Sequence, residues 1–195
     1  MTAGHASTAS VSSGCLILVV GPSGAGKDSL INKARELFSG DPRFHFPKRI
    51  ITRAPDETEY HEPVSREEFA RRINADAFLL HWHANGLSYA IPADAVKHLA
   101  QGQYVVANVS RTIISDAFGD FGNLRVVHVT ADSDVLSERL EARGREAAGD
   151  RTARLDRNAR IELPENCPID EIANNGQLAD ASGRFIALLE RYAES

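Results

Sequence analysis

The sequence of 195 residues predicts an α/β fold in which helices cover both faces of a five-stranded parallel sheet, so that the domain has three α/β/α layers. Two observations support this prediction. Short apolar segments, typical of strands buried on both faces, alternate along the chain with longer segments of helical periodicity. A glycine-rich turn joins the first strand to the first helix. The length suits one domain that carries a small insertion.

The individual elements follow the pattern of apolar residues. The run LILVV ends at a glycine, and the helix after it places Leu30, Ala34 and Leu37 on one side. The other elements are predicted in the same way. Strands are expected at residues 16–20, 46–53, 104–108, 124–130 and 169–174, and helices at residues 27–38, 94–101, 133–143, 150–160 and 178–192.

A polar, irregular segment from about residue 53 to residue 92 is predicted to form a small lobe outside the main sheet. Within it, Ser65 followed three residues later by Glu68 is a capping box that opens a short helix. The segments FLLHW and GLSYAIP predict the two strands of a hairpin. Residues 1–14 are small and polar and are expected to be a disordered tail, which leaves residues 15–195 as the folded domain.

Composition restricts the classes of function. The net charge of −5 argues against a general nucleic-acid binder, and no apolar run approaches the length of a membrane span. The start of the chain lacks the pattern of a signal peptide, and the cysteines, Cys15 and Cys167, are too few for a disulfide framework. We therefore expect a cytoplasmic protein. Seven of the 22 Lys and Arg residues lie within residues 139–160, which favours a small anionic ligand or a solvated helix face of paired charges.

The stretch GPSGAGKDSL, residues 21–30, has the spacing of a phosphate-binding loop. Its glycines allow a tight turn with N–H groups pointing at an anion, and the following helix adds the positive end of its dipole. The lysine of this motif reaches the β- and γ-phosphates, so the chain is predicted to bind ATP. The expected ATP-binding residues are Gly21, Pro22, Ser23, Gly24, Ala25, Gly26, Lys27, Asp28 and Ser29.

Asp28 departs from this motif, which requires Ser or Thr after the lysine to hold Mg²⁺. A bare carboxylate repels a triphosphate, but Mg²⁺ favours carboxylate oxygen and bridges the β- and γ-phosphates. Asp28 is therefore a candidate Mg²⁺ ligand, directly or through water. The alternative is that Asp28 only stabilises the helix N-terminus through its charge.

The chain resembles guanylate kinases from about residue 16 to residue 192. The stretch GPSGAGKDSL, the TR of IITRAP, VSREEF, the W of FLLHW, the SYAIP turn and RLEARGRE occur in the order and spacing of that family. This resemblance implies a P-loop kinase core, an inserted lobe that binds the acceptor, and a helical lid at about residues 143–160. It also implies transfer-site roles for Lys27 and for lid arginines, expected among Arg139, Arg143, Arg145 and Arg154. Salt bridges with Glu138, Glu141 or Glu146 are the alternative for these arginines.

The departures from guanylate kinases point to another acceptor. Guanylate kinases read guanine with two carboxylates, and His81 and Ser110 stand at or beside those positions in this chain. Without such acceptors a site loses discrimination for the base. A phosphate-binding tyrosine of the lobe is replaced by His61, whereas Arg53 and Tyr89 are retained. The predicted acceptor-binding residues are Arg49, Arg53, His61, His81, Tyr89, Asn108, Ser110 and Arg111.

A narrower group, the ribose 1,5-bisphosphate phosphokinases of bacterial phosphonate degradation, resembles this chain more closely. Their GKDS-containing loop, FxLxW strand, GLxYxIP turn and VxNxSR strand end match GPSGAGKDSL, FLLHW, GLSYAIP and VANVSR. The resemblance implies ATP- and Mg²⁺-dependent phosphorylation of ribose 1,5-bisphosphate to 5-phosphoribosyl 1-diphosphate (PRPP). The acceptor oxygen is already ionised, so no general base is expected.

Three questions stay open at this level. Asn175 corresponds to an adenine-contacting loop of related kinases, or it belongs to a plain Asn-Gly turn. The alternatives in function are a nucleoside monophosphate kinase with altered base choice and a non-catalytic guanylate kinase-like binding module. Neither nucleic acid nor membrane is expected as a partner, and the sequence leaves open whether two copies form a homodimer.

Overall fold

The centre of the fold is strand β1 (Cys15–Val20), in which every residue is buried. The computed structural model describes residues 14–54, 60–142, 161 and 163–194. In chain order the other strands are β2 (Phe44–His45), β3 (Arg49–Ile51), β4 (His61–Pro63), β5 (Phe78–Ala84), β6 (Leu87–Pro92), β7 (Tyr104–Asn108), β8 (Leu124–Thr130) and β9 (Ile169–Ala173). The helices are α1 (Lys27–Leu37), α2 (Arg66–Ile73), α3 (Ala95–Ala100), α4 (Ile114–Asp120), α5 (Ser133–Ala142) and α6 (Leu178–Ala193), with a 3₁₀ turn at Arg111–Ile113.

The main sheet has five strands in the order β2-β7-β1-β8-β9, and all of its pairs are parallel. The predicted five-stranded parallel sheet is therefore confirmed. Val19 pairs with Asn108 on β7, and Val20 pairs with His128 on β8. Because parallel strands end at one edge of the sheet, the loop after β1 lies beside Asn108 and the end of β8.

Helices cover both faces of this sheet, which gives the predicted three layers. Strand alternation sends Leu16 and Leu18 to one face, where they pack with α3 and α4. It sends Ile17 and Val19 to the other face, against α1, α5 and α6. The side chains on both faces are almost fully buried, so the core positions the strand ends rigidly.

A second sheet, with strand order β4-β3-β6-β5, corresponds to the predicted lobe. The β5–β6 hairpin turns at Asn85 and Gly86, whose φ angles of 52° and 73° suit a tight hairpin turn. Helix α2 covers one face and has the predicted N-cap, because the Ser65 side chain accepts a hydrogen bond from the backbone N–H of Glu68. The Glu68 half of the predicted capping box differs, since that carboxylate accepts hydrogen bonds from Arg71 and Arg72. The other face contributes Trp82 and Ile91 to the main core.

One predicted element is wrong, and one α-helix was not predicted. The segment at residues 46–53 does not supply the second strand of the main sheet, because β2 takes that place and Arg49–Ile51 forms β3 in the second sheet. Pro47 lies between the two strands and, with no N–H to donate, separates their ladders. The second sheet thus begins before residue 53. The sequence also gave no signal for α4 (Ile114–Asp120), a short helix with Ile114 and Ala117 buried.

Several predictions lie outside the described residues: most of the tail at residues 1–14, the helix at 150–160 and the lid at about 143–160. Within the described parts of the chain, no helix combines the length and the apolar character needed to cross a bilayer.

Candidate active site

The loop between β1 and α1 adopts a conformation that requires glycine. Gly21, Gly24 and Gly26 have φ angles of 145°, 86° and 94°. A Cβ at Gly21 would lie 2.1 Å from the carbonyl oxygen of Val129, and one at Gly26 would lie 2.5 Å from Nδ2 of Asn174. Since both neighbours belong to well-packed strands or turns, side chains are excluded here. The loop therefore has the tight backbone that an anion-binding cradle needs.

Lys27 lies at the point where this loop becomes α1. Its Nζ donates hydrogen bonds to the carbonyl oxygens of Gly21, at 2.9 Å, and Pro22, at 2.8 Å. The Pro22 carbonyl also accepts from the N–H of Ala25 at 3.3 Å. The ammonium charge is thus held over the loop, beside the N-terminus of α1. Of the two serines in the motif, Ser23 is exposed in the loop and Ser29 is half-buried on α1.

Asn174, which follows β9, holds the phosphate loop in place through a buried hydrogen bond. Its Nδ2 donates to the carbonyl oxygen of Ala25 at 2.8 Å, and the residue is 2 % exposed. The neighbouring Asn175 instead accepts a hydrogen bond at Oδ1 from the backbone N–H of Asp132 at 2.8 Å. The residue of this turn that contacts the phosphate loop is therefore Asn174, and contact of Asn175 with adenine stays a prediction.

Arg139 is the predicted lid arginine that the structure describes. It lies on α5, and its Nη1 is 3.5 Å from the carbonyl oxygen of Gly24. Leu136 and Leu140 of the same helix lie next to Gly24, so α5 holds Arg139 against the loop. The other three predicted arginines, Arg143, Arg145 and Arg154, lie outside the described residues.

Asp28 joins the phosphate loop to two other elements. Its Oδ1 accepts a hydrogen bond from Nη2 of Arg49 on β3 at 3.2 Å. The same oxygen accepts from Nδ2 of Asn108, the last residue of β7, at 2.8 Å. The Arg49 side chain is 11 % exposed and that of Asp28 is 37 % exposed. The two charges therefore pair at the edge of a pocket, where screening by water is incomplete.

This pocket lies between α1, β3, β6 and β7, and both polar and apolar side chains line it. The Arg49 guanidinium is 5.7 Å from the centre of the Tyr89 ring, which stacks on Trp82 with ring centres 5.5 Å apart. Tyr89 is thus rigidly placed next to the guanidinium. The polar lining residues are Asp28, Asn32, Arg35, Arg49, Tyr60 and Asn108.

Arg53 and His61 lie close to Arg49 in and beside the second sheet. His61 pairs with Arg49 across β3 and β4 and is 6 % exposed. Burial lowers the pKa of His61, the charges of Arg53 and Arg49 lower it further, and hydrogen bonds with the backbone of Ala54 and Arg53 oppose this. Nε and Nη2 of Arg53 are buried. Arg49 and Arg53 therefore supply positive potential for binding an anion, and His61, with its lowered pKa, adds a largely uncharged imidazole beside them.

Three other predicted acceptor residues have different surroundings. His81 pairs with Ala90, on the face of the second sheet that α2 covers, and its ring lies 6.2 Å from that of Phe78. The structure thus does not bring His81 together with Arg49 and Tyr89, which lie on the opposite face. Ser110 caps the 3₁₀ turn by accepting from the N–H of Thr112. Arg111 begins that turn at the sheet edge.

His128 is a polar residue at the sheet edge that sequence reasoning missed. It lies near the end of β8, and Nε2 is buried without a hydrogen-bond partner among the described residues. Burial is the largest cause that lowers the pKa of His128, and the charges of Lys27 and Arg111 lower it further, whereas Glu171 raises it. The signal in the sequence was one imidazole in the apolar run LRVVHVT.

Acidification is expected to destabilise the fold through histidines that are buried or half-buried. Burial lowers the pKa of His45, His61 and His128 below the ordinary value of 6.5. As the pH falls from about 7 to about 5, the unfolded chain takes up protons at these rings before the folded chain does. The unfolded state then binds more protons, so the free energy of unfolding decreases as the pH falls.

Urea unfolding at several pH values measures this effect. We expect His128→Gln to reduce the decline in the free energy of unfolding between about pH 7 and pH 5. His83→Gln, at an exposed position, is the matched control for replacing a histidine. A decline in His128→Gln as steep as in the wild type would contradict the prediction.

Comparison with known proteins shows the family to which this fold belongs. The family model described as guanylate kinase matches residues 13–192. A crystal structure of guanylate kinase from Anaplasma phagocytophilum has a TM-score of 0.60 and 15% identity, covering 92% of this chain and 85% of that one. At this identity the likeness concerns the fold.

Curated relatives are much more similar in sequence. Ribose 1,5-bisphosphate phosphokinase PhnN from Acidiphilium cryptum is 47% identical over 92% of this chain and 94% of the relative. The proteins of the same name from Methylobacterium radiotolerans and Agrobacterium fabrum are each 41% identical, over 90% and 92% of this chain and 97% and 98% of theirs. The fold, the phosphate loop and these identities show that the chain belongs to the guanylate kinase family and, within it, to the ribose 1,5-bisphosphate phosphokinases.

Proposed function

We propose that the chain transfers the γ-phosphoryl group of ATP to the 1-phosphate of ribose 1,5-bisphosphate, giving PRPP and ADP. The observation that carries the proposal is that one residue, Asp28, belongs to both the phosphate loop and the lining of the adjoining pocket. Asp28 is hydrogen-bonded to Arg49, which lines the same pocket. A donor site and an anion-binding acceptor site therefore meet at one point. The names of the relatives support the same reaction.

The reaction needs positioning and charge neutralisation more than proton transfer. An oxygen of the 1-phosphate attacks the γ-phosphorus, the bond from that phosphorus to the β,γ-bridging oxygen breaks, and ADP leaves with the bridging oxygen. Because the attacking oxygen is already ionised, no residue has to remove a proton. Lys27 and Arg139 are proposed to neutralise charge on the transferred group from the loop side. Arg49, Arg53 and His61 are proposed to bind the acceptor phosphates with Tyr89.

The residues at the loop fit Mg²⁺ held mainly by the nucleotide. Within the described ranges, no three His, Cys, Asp or Glu side chains form a cage for a metal ion. Mg²⁺ at phosphate sites is ordinarily bound through one or two carboxylates with phosphate oxygens and water, and it would neutralise charge on the phosphates. Asp28 offers such a carboxylate. Its hydrogen bonds from Arg49 and Asn108 both fall on Oδ1, so Oδ2 would be the oxygen that holds Mg²⁺.

Two alternatives fit the site less well. A guanylate kinase needs acidic groups to accept hydrogen bonds from guanine. Asp28 is the acidic residue among the described lining of the pocket, and it is hydrogen-bonded to Arg49 and Asn108. A non-catalytic scaffold has no need for the Gly26–Lys27 geometry of an ATP site. The proposed acceptor is small, so neither nucleic acid nor a membrane takes part, and use of ATP favours a cytoplasmic enzyme.

The proposal is tested by product analysis. Pure protein is incubated with ATP, Mg²⁺ and either ribose 1,5-bisphosphate or GMP, and the products are separated by ion-exchange chromatography. We expect PRPP and ADP from the first mixture and little GDP from the second. GDP without PRPP would favour the nucleotide kinase, and neither product would favour the scaffold. Sedimentation of the same sample decides whether two copies associate, which stays a prediction.

A further inference from the structure

Asp28 has contacts on the acceptor side of the site that its place in the phosphate motif does not explain. A phosphate loop ordinarily carries a hydroxyl after its lysine, and that hydroxyl serves the metal. The carboxylate of Asp28 instead accepts from Arg49 and Asn108, which belong to two different sheets. One oxygen, Oδ1, thus links α1, β3 and β7.

The geometry gives Arg49 a fixed orientation. A guanidinium has five N–H donors in one plane, so it can bond a carboxylate along one edge and a phosphate along another. Nη2 of Arg49 bonds Asp28, and the guanidinium carbon lies 5.7 Å from the centre of the Tyr89 ring. A serine at position 28 would carry its oxygen one bond closer to the main chain and would bear no charge to pair with Arg49.

We propose that Asp28 is a positioning residue for the acceptor, which holds Arg49 and Asn108 in the orientation that binds a phosphate of the sugar bisphosphate. This inference rests on the proposed function, because it takes the pocket at Arg49 as the acceptor site. Asp28 then connects the phosphate loop mechanically to the second sheet. Asp28, which stands where other phosphate loops have a metal-binding hydroxyl, therefore strengthens binding of the acceptor.

The direction in which acceptor affinity changes when the Asp28 carboxylate is removed distinguishes this role from its alternatives. A carboxylate that only faces the pocket repels an anionic acceptor, so its removal would tighten acceptor binding. A carboxylate that only binds Mg²⁺ would leave acceptor binding unchanged when no metal is present. A carboxylate that positions Arg49 strengthens acceptor binding, so its removal weakens it even without metal and ATP.

The test is isothermal titration of ribose 1,5-bisphosphate into the protein in EDTA, without ATP. We expect Asp28→Ala to weaken acceptor affinity by about tenfold, the typical size for losing a charge-assisted hydrogen bond. Asp28→Asn, which keeps an acceptor oxygen but no charge, is expected to weaken it less. Asp180→Asn is the control, because it removes a negative charge from the exposed first turn of α6. Affinity in Asp28→Ala or Asp28→Asn equal to or tighter than the wild type would overturn the proposal.

A second comparison asks whether Asp28 acts through Arg49. In an Arg49→Ala background, Asp28→Ala is expected to weaken acceptor affinity by about threefold or less, since of the two groups that Asp28 positions only Asn108 remains. The same tenfold loss in both backgrounds would overturn the proposed coupling. Failure of the wild-type protein to bind ribose 1,5-bisphosphate would overturn the proposed function, and this inference with it. Binding by the wild type that Asp28→Ala leaves intact would overturn the inference alone.

Discussion

Replacement of Lys27 by methionine is expected to lower kcat by about 10²–10³-fold, the usual effect of removing one preorganised charge from a transition state. Nζ of Lys27 lies over the phosphate loop, 2.9 Å and 2.8 Å from the carbonyl oxygens of Gly21 and Pro22. Methionine keeps the length of the side chain and removes the ammonium charge. The loop backbone should persist, because its glycines and Asn174 hold it independently.

Lys33→Met provides the matched control for this experiment. Lys33 lies on the same helix and forms an exposed ion pair with Glu36. Steady-state kinetics with ATP and ribose 1,5-bisphosphate should show near wild-type kcat for Lys33→Met, and thermal unfolding should show both variants folded. A kcat for Lys27→Met within roughly threefold of the wild type would exclude Lys27 from phosphoryl transfer.

Asn174→Asp is expected to reduce the free energy of unfolding by about 3 kcal/mol, because it buries a carboxylate against a carbonyl oxygen and removes the N–H donor that bonded it. Nδ2 of Asn174 donates to the carbonyl oxygen of Ala25 from a site that is 2 % exposed. An ionised carboxylate cannot donate, so the two oxygens repel each other. At lower pH the loss should shrink, since a protonated carboxyl group can donate to Ala25 in place of the amide.

Asn175→Asp makes the same chemical change one residue further along and is the natural control. Oδ1 of Asn175 accepts from the N–H of Asp132, and an aspartate oxygen can do the same. Urea unfolding should therefore show a change below about 0.5 kcal/mol for Asn175→Asp, as for most exposed substitutions. Equal stability of the two variants would contradict the assignment of Asn174 as the residue that fixes the loop.

The parts of the fold that follow from local chemistry were predictable. The glycine spacing of GPSGAGKDSL specifies a backbone that few other residues can adopt, and the φ angles of Gly24 and Gly26 show this. The apolar runs of β1 and β7 predict strands that are buried on both faces. In β8 the polar residues Arg125 and His128 fall on opposite faces, so each face stays mostly apolar. The N-cap at Ser65 was likewise predictable, because it depends on a hydrogen bond to Glu68, only three residues further along the chain.

Other parts depend on contacts between residues far apart in the chain. Strand β2 has only two residues, too few to show a period, and its place beside β7 comes from packing of Phe44 against Phe38. His81 was expected at the acceptor pocket, but strand pairing with Ala90 places it on the face that α2 covers. The face that a strand residue occupies depends on register, which the sequence of that strand alone does not specify.

Asp28 illustrates both kinds of information. The sequence by itself determined that the chain has a phosphate loop and that a carboxylate stands where a hydroxyl is usual, because both are statements about spacing and residue type. Only the tertiary structure decided what that carboxylate contacts. Arg49 and Asn108 are 21 and 80 residues away in the chain, and they reach Asp28 because two sheets meet beside α1. Such contacts arise from the packing of whole elements, which no local pattern encodes.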